Sequence, residues 1–351
     1  MLRYDIIKKN QRSGAENLER NVTAFDVAKH LGVSQSTVSR VFTAGASVSE
    51  TTRKRVLAAA KELGYRPNAL ARSLSTKRTN IIGLVMGDTK NPFYPAVLSK
   101  FSGELRKRGF HVLLVNAQSD TIQSEEVLQF LEYNVAGVVV TDALLSSSIA
   151  AHFMDNHIPI VLFNRHNQIP MCHTVCCDNM HGGFEIGEYL IAKGHRRLAF
   201  IAGSPNTSTS LERETGFREA LVKHGYHLIT DCGHYSYEGG SEAAVRLLKS
   251  VDPPDAIFCA NDIMALGVID AAKQMGLRVP YDVSVVGFDD IDLAAWSAYS
   301  LTTWQQPVNE MIAYTIDLLL GDSNGNSNQC ETECKWIKGL LVERGSVRQK
   351  H

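Results

Sequence analysis

Five side chains between residues 35 and 43 have the chemistry to read the edge of a DNA base. Gln35, Ser36, Ser39, Arg40 and Thr43 supply amide, hydroxyl and guanidinium groups, the donors and acceptors that contact base edges and phosphates in a major groove. At roughly 100° per residue they fall within one arc of about 140° on a helical wheel. Val38, Val41 and Phe42 fall on the other side, so the helix is expected to bury one face and present the other. A second set of polar residues closes a series of apolar runs further along: Asp88 and Asn91, Asn116 and Gln118, Asp142, Asn164 and Arg165, Asp178, Asn261 and Asp262, Asp289 and Asp290. Phe93, Tyr94, Tyr235 and Trp304 are interspersed. Carboxylates, amides and Arg hold vicinal hydroxyls in pairs, and aromatic faces pack on C–H surfaces, so this set suits a polyhydroxylated ligand. Any one of these residues is equally well explained as a helix cap or a structural hydrogen bond; their clustering carries the reading.

The first set needs a scaffold, and the flanking residues supply one. Thr23 can cap a short helix with Val27, Ala28 and Leu31 inward. Gly32 provides the positive φ of a tight corner, and Ser34 caps the helix that begins at Gln35. Ser49 caps a third helix, Glu50 to Leu63, with Val56, Ala60 and Leu63 inward and Arg53, Lys54 and Arg55 outward. Gly64 ends it and Pro67 prevents its resumption. This is the pattern of a helix-turn-helix. Asn68 to Leu74 is two helical turns at most, marginal alone, with Leu70 and Leu74 four apart beside Arg72, Lys77 and Arg78.

From Asn80 the periodicity changes. Apolar runs at Ile81–Met86, His111–Val115, Ala136–Val140 and Ile158–Phe163 read as buried parallel strands, separated by helices at about Pro95–Lys107, Ser124–Tyr133 and Ser147–Asn156. A second series begins near Asp178: helix His181–Lys193, strand Leu198–Ala202, helices Leu211–His224 and Gly239–Ser250, strand Ala256–Cys259, helix Ile263–Met275 and strand Val283–Gly287. Two such series predict two lobes with parallel sheets, with ligands taken outside the carboxyl ends of the strands. After Leu301 the chain returns through L-T-T-W-Q-Q-P, a helix Val308–Leu319 and a strand Lys335–Val342. The glycines of His181-Gly-Gly-x-x-x-Gly187 are expected to pack helices, and Gly321 to Asn328 is expected to be a flexible loop; neither is a phosphate cradle.

Charge is unevenly divided over the 351 residues. Residues 1–80 hold 15 Lys and Arg against 6 Asp and Glu, a net +9; the remainder holds 21 against 31, a net −10. A basic head on an acidic body implies that only the head meets nucleic acid. No run of 18 apolar residues predicts a membrane span, and Met1 to Arg20 lacks the apolar core of a secretory signal; a cytoplasmic location is expected. Seven cysteines, Cys172, Cys176, Cys177, Cys232, Cys259, Cys330 and Cys334, are an odd count that argues against a disulfide framework. Their spacing is not that of a zinc knuckle, so no metal is expected. There is no H-E-x-x-H, G-x-S-x-G or P-loop. Asp289 and Asp290 point to opposite sides of a strand end, a poor acid–base pair, and His195 sits at the opposite sheet edge. No catalytic residue and no cofactor is expected, and the chain does not read as an enzyme.

The stretches V-T-A-F-D-V-A-K-H-L-G-V-S-Q-S-T-V-S-R-V, V-S-E-T-T-R-K-R-V and L-G-Y-R-P-N-A-L-A-R-S-L resemble the LacI/GalR family of bacterial transcription regulators, over about 325 residues. The resemblance implies an all-α helix-turn-helix headpiece plus an α/β two-lobed core of the type I periplasmic-binding-protein kind with parallel sheets. It implies a headpiece at 23–67, a hinge helix and linker at 68–79, an effector-binding and dimerisation core at 80–346 and a tail at 347–351; the family usually begins near the equivalent of Thr23, so residues 1–22 depart from its pattern and are expected to be a disordered extension. Within the core, the N-lobe is expected at about 80–178 plus 306–330 and the C-lobe at about 179–305 plus 331–346. DNA contacts are expected from Thr23, Ser34, Gln35, Ser36, Thr37, Ser39, Arg40, Asn68, Ala71, Arg72 and Leu74. Gln35, Ser36 and Arg40 take the base-reading positions, and Leu74 takes the position of the wedge that kinks the duplex through its minor groove. Effector contacts are expected from Phe93, Tyr94, Arg165, Asp178, Thr207, Thr209, Arg213, Tyr235, Asn261 and Asp289, with Arg213 and Asp289 facing each other across the interlobe cleft. The expected partners are pseudo-palindromic operator DNA, a second copy of the chain in a homodimer, and a small-molecule effector, with no membrane partner. The hydroxyl-rich run Thr207 to Ser210 ranks a carbohydrate or sugar acid ahead of a nucleobase. The alternatives are a sugar-binding protein without regulatory role, and a regulator that is ligand-independent or takes a purine-type corepressor. The chain after Val342 lacks the leucine heptads that make tetramers of some relatives.

Overall fold

The computed structural model describes residues 22–43, 46–66, 79–117, 122, 124–166, 172–321 and 332–349. The chain divides into two compact units, residues 1–79 and 80–351. In the first, α1 (Ala24–Leu31), α2 (Gln35–Val41) and α3 (Glu50–Glu62) surround a core of Val27, Ala28, Val38, Val41, Val56 and Ala59. All three helices are capped by the side chain that precedes them: Thr23, Ser34 and Ser49. Thr23 and Asp26 form a reciprocal capping box, with the Thr23 backbone N–H donating to Asp26 at 2.8 Å. Gly32 closes α1 at φ +67°, the left-handed conformation that the corner requires. Arg53 does not point outward as expected. Its Nη1 donates to the Val41 carbonyl at 2.9 Å, satisfying one of the orphan acceptors at the end of α2. The extension at 1–21 and the hinge residues Asn68, Ala71, Arg72 and Leu74 lie outside the described residues.

The second unit has two six-stranded sheets. The first lobe runs β1 (Ile81–Met86), α4 (Phe93–Lys107), β2 (His111–Asn116), α5 (Ser124–Glu132), β3 (Gly137–Val140), α6 (Ser147–Asp155), β4 (Ile160–Phe163) and β5 (His173–Cys177). The second runs α7 (Asn179–Ala192), β6 (Leu198–Ala202), α8 (Ser208–Lys223), β7 (Leu228–Cys232), α9 (Tyr237–Leu248), β8 (Ala256–Cys259), α10 (Asp262–Gln274), β9 (Ser284–Asp289) and β10 (Thr302–Gln305). The chain then returns through α11 (Val308–Leu320), β11 (Cys334–Ile337) and β12 (Leu340–Val342). The sheet orders are β11-β5-β4-β3-β1-β2 and β12-β10-β9-β8-β6-β7. Every pairing is parallel except β10 with β12. The central strands are buried along their whole length, as both faces of a parallel sheet are covered by helices. No helix among the described residues is long and apolar enough to cross a membrane.

Three differences from the sequence reading have physical causes. β5 is not among the expected strands because its sequence, H-T-V-C-C, has no continuous aliphatic run; Cys172, Cys176 and Cys177 are buried and behave as small hydrophobes, as free thiols are expected to. β7 was not expected because it is a half-buried edge strand with little apolar signal. The single strand Lys335–Val342 is two: β11 joins the first lobe beside β5, and β12 joins the second, antiparallel to β10. Residues 334–337 therefore belong to the first lobe's sheet and not to the C-lobe in which 331–346 was expected.

The glycines after His181 seat one helix on another. A Cβ at Gly183 in α7 would lie 2.2 Å from the Arg213 carbonyl oxygen of α8, and one at Gly216 in α8 would lie 1.9 Å from the Met180 carbonyl. The two backbones therefore touch, and α8 is held rigidly against α7. Gly183→Ala forces main chain against main chain and is expected to cost at least ~1–3 kcal/mol, read as a lower urea midpoint with an unchanged m-value.

Candidate functional site

The exposed face of α2 carries Gln35, Ser36, Ser39 and Arg40, opposite the buried Val38 and Val41. Thr23, Ser34 and Thr37 have structural engagements. The Thr23 side chain belongs to the capping box, and the Ser34 hydroxyl lies 2.8 Å from that of Thr37 while accepting from the Thr37 backbone N–H. The Thr43 hydroxyl donates back to the Ser39 carbonyl. Four groups on one face, amide, two hydroxyls and a guanidinium, are exposed, and of these the Ser36 hydroxyl also lies 2.8 Å from that of Ser34.

In the second unit, polar residues at the carboxyl ends of strands converge on a chamber of only about 10 Å3. Phe93, Tyr94, Arg165, Thr209, Arg213, Tyr235, Asn261 and Asp289 all line it, with Asp88, Asn91 and Asn164. Thr207 lies just behind, its hydroxyl 3.0 Å from that of Tyr235, which is also 2.8 Å from that of Thr209. Asp178 is elsewhere: its Oδ1 accepts from the His181 backbone N–H as the cap of α7. Asn116 is exposed at the end of edge strand β2, and Gln118 lies outside the described residues. The chamber adjoins a vestibule of about 470 Å3, which shares Asp88, Asn91, Arg165 and Tyr235 with it. Between the two spaces the Arg165 guanidinium, from the first lobe, stands 5.1 Å from the ring centroid of Tyr235, from the second.

Arg213 is the centre of this arrangement. It is 2 % exposed, and its guanidinium carbon lies 3.6 Å from the ring centroid of Phe288. Its Nε donates to Asn179 Oδ1 at 2.9 Å and its Nη1 to the Ala260 carbonyl at 2.5 Å. Asp289 Oδ1 lies 3.7 Å from Nη1 and accepts from Gln306 Nε2 at 2.7 Å. The expectation that Arg213 and Asp289 face each other across the cleft is corrected. α8 and the end of β9 belong to the same lobe, and the two charges are side by side. Burial pushes the Asp289 carboxyl above its usual range, and Arg213 opposes that rise. Burial likewise raises the Tyr94 phenol, whose oxygen accepts from Asn164 Nδ2 at 3.1 Å.

Other residues named from the sequence are structural. Asp142 is buried and accepts from the backbone N–H groups of Gly87 and Asp88, tying the ends of β1 and β3 together. Asp262 accepts from Thr303 Oγ1 at 2.5 Å and from the Ile291 N–H at 2.9 Å, turned into its own lobe. Asp290 points away from Asp289, bound by Arg344 and Gln305, each at 2.6 Å. His195 is buried, with Nδ1 3.2 Å from Asp255. Among the described residues no three His, Cys, Asp or Glu side chains are grouped to hold a metal ion.

Sequence reasoning missed the support of the site. Phe288 precedes Asp289 in the chain, and Glu212 precedes Arg213. Neither looks functional alone, although the E-R pair on one helix was a signal that two charges leave α8 together. It also missed backbone geometry. Asn164, His234, Tyr235 and Asp289 have positive φ, 70°, 51°, 56° and 124°, and all four line the chamber or the vestibule. Non-glycine residues held in such conformations concentrate at ligand clamps.

Comparison with known proteins assigns both units. Residues 23–68 match the model of the bacterial regulatory proteins of the lacI family, and residues 188–347 match the periplasmic binding protein-like domain. The chain is 33 % identical over 332 residues to the HTH-type transcriptional regulator AscG of Escherichia coli (strain K12), covering 93 % of this chain and 98 % of that one. It is 32 % identical to catabolite control protein A of Priestia megaterium over 85 % and 92 % of the two chains. Among solved structures, the lac repressor dimer bound to operator and the anti-inducer ONPF superposes with a TM-score of 0.83, at 27 % identity, over 94 % of this chain and all of the other. These relatives are named as regulators, not as enzymes. With a helix-turn-helix of matching extent and a core of matching architecture, the chain belongs to the lacI family of bacterial regulatory proteins and is a DNA-binding transcriptional regulator with a ligand-binding-type core.

Proposed function

We propose that this regulator is a repressor whose affinity for a pseudo-palindromic operator is switched by a small carbohydrate or sugar acid held between the two core lobes. One observation carries the ligand half of this reading. Among the described residues, three buried polar atoms of the chamber find no hydrogen-bond partner: Arg213 Nη2, Asn261 Nδ2 and Asn164 Oδ1. A buried polar group without a partner costs about 1–3 kcal/mol, more if charged, so three at one point are a standing preference for a ligand that satisfies them. Two are donors and one is an acceptor, and they come from both lobes. Vicinal hydroxyls, which donate and accept, fit that set; an apolar ligand does not. Phe93, Tyr94 and Tyr235 line the same space and supply the flat faces. A chamber of about 10 Å3 is at the lower limit for holding one water molecule and far too small for a sugar ring. Ligand entry therefore requires the lobes to part, and this change of interlobe angle is what would carry the signal. The transcriptional regulator CelR, in complex with cellobiose, is 30 % identical over 93 % of this chain, with a TM-score of 0.66, which supports the carbohydrate class.

The exposed face of α2 supports the DNA half, with Gln35, Ser36 and Arg40 as the base-reading groups. A homodimer presents two such faces to two half-sites, and a regulator of this kind works in the cytoplasm, where its operator is. The hinge role of Asn68, Ala71, Arg72 and Leu74 belongs to the same proposal.

In gel shifts against selected operators, Arg40→Ala is expected to weaken binding by about 1–3 kcal/mol while Gln35 and Ser36 exchanges alter the preferred bases. Specific binding by a fragment without residues 1–75 would refute the DNA half. For the ligand, Asn261→Asp is the sharper variant. Asn261 Oδ1 caps α10 by accepting from the Met264 N–H at 3.1 Å, and Asp keeps that cap while removing the donor aimed at the chamber. Thermal-shift screening of the full chain against monosaccharides, disaccharides, aldonates, uronates and purines is expected to give a sugar hit. Asn261→Asp should bind that sugar at least 10-fold more weakly, the cost of one hydrogen bond between strong partners. A purine as the stabilising ligand, or a sugar bound equally well by Asn261→Asp, would overturn the assignment.

A further inference from the structure

His166 leaves the first lobe just after β4 and is fastened to the second. Its backbone N–H donates to Ser208 Oγ at 3.0 Å, and its Nε2 lies 2.6 Å from Glu212 Oε1. Both partners are on α8. The other Glu212 oxygen accepts from Asn179 Nδ2 at 3.0 Å, and Asn179 Oδ1 accepts from Arg213 Nε at 2.9 Å. The result is an unbroken series from imidazole to carboxylate to amide to guanidinium, and it ends in the chamber. Asn179 is 1 % exposed and Arg213 2 %, so no solvent competes at the inner end.

Each link constrains the next. A primary amide has one accepting and one donating end. Arg213 is donor-only, so Asn179 must turn its oxygen to Arg213 and its NH2 away. The Glu212 carboxylate is acceptor-only and takes that NH2; rotated by 180°, the amide would set donor against donor at one end and acceptor against acceptor at the other. We infer that Glu212 is a positioning residue: it fixes the orientation of Asn179 and hence of the Arg213 fork, and through its second oxygen it latches the first lobe by His166, so that the charge state of His166 is coupled to the Arg213 fork through one carboxylate.

The surroundings of His166 leave Glu212 in charge. α8 offers it that carboxylate and the Ser208 hydroxyl, and β11 offers the Trp336 ring, edge-on with centroids 6.2 Å apart. Arg165, its neighbour in the chain, sends Nη1 to the Asp142 carbonyl and stands over Tyr235. The bond to Glu212 raises His166 above the usual 6.5, and burial opposes it by a smaller amount. A folded-state value above the unfolded one means that the charge on the latch contributes fully below pH 6.5 and is lost as pH rises through the folded value. Lower pH therefore strengthens the latch by adding charge, while the neutral ring donates from Nε2 and the backbone bond to Ser208 persists at any pH.

This inference requires no ligand and stands apart from the identity of the effector. The test is NMR on the full chain, labelled with 15N-arginine and 13C-histidine, from pH 5.5 to 8.5 without sugar. His166, assigned with His166→Asn, should titrate above 6.5. The Arg213 Nε–H resonance, assigned with Arg213→Lys, should be protected from solvent and shift with that same midpoint. Glu212→Gln should drop His166 below the ordinary value, since burial then acts unopposed, and uncouple the Arg213 resonance from pH. His166→Asn, which leaves Glu212 on Asn179, should keep the Arg213 resonance protected but pH-independent, and this variant decides the matter if Glu212→Gln does not fold. An Arg213 resonance that stays fixed while His166 titrates, or that follows the same midpoint in His166→Asn, would overturn the inference.

Discussion

A guanidinium buried to within 2 % of its surface is the constraint around which the core is arranged. Taking Arg213 out of water is costly, and the cost is offset only if its five donors and its flat face find partners. Phe288 takes the face. The Asn179 amide and the Ala260 carbonyl take two donors, and the Asp289 carboxylate sits within ion-pairing distance. Those partners come from the start of α7, the end of β8 and the end of β9. The geometry of one side chain thus specifies how three elements end. The contact of α7 with α8 through Gly183 and Gly216 keeps the base of the fork from moving. What remains unsatisfied is Nη2, at the edge of the interlobe chamber. A side chain that is rigid, charged and one partner short is the basis of the binding role proposed for it.

The headpiece follows the opposite logic. Its core is six small aliphatic side chains, and its order comes from three capping hydroxyls and from Arg53 closing the end of α2. On the outer face of α2, Ser36 reaches the capping Ser34 hydroxyl, while Gln35, Ser39 and Arg40 are exposed. The proposed ligand site is thus made of buried groups set by many neighbours, and the proposed DNA-reading face of exposed groups set by one short helix. The charge division, +9 against −10, matches that separation: positive potential is concentrated where phosphates are met.

What could be read from the sequence was what local chemistry determines. Thr23, Ser34 and Ser49 are visible as caps because a hydroxyl before an apolar period has few other uses, and Ile81–Met86 is visible as a strand because a buried parallel strand is apolar on both faces. The ligand set was visible as a collection because strand ends must converge. What was not visible depends on long-range partners. β5 reads as a cysteine cluster until its burial is known. The break between β11 and β12 is a change of sheet that no local pattern encodes. Asp178 has the same residue type and the same strand-end position as Asp289, yet it caps a helix while Asp289 meets Arg213. Glu212 was passed over because a carboxylate on a helix surface is ordinary; only the approach of His166 from the other lobe gives it two partners.

The central claim is that one ligand-driven change of the lobes reaches the DNA-binding face, and thermodynamic reciprocity tests it most directly. If a sugar alters operator affinity by some factor, operator must alter sugar affinity by the same factor. Titration calorimetry of the stabilising sugar into the free full-length protein and into its operator complex measures the second factor, and fluorescence anisotropy of labelled operator with and without saturating sugar measures the first. The account predicts two equal factors, each at least about 5-fold, the lower end of allosteric coupling. Sugar bound with the same affinity in the presence and absence of operator would contradict it.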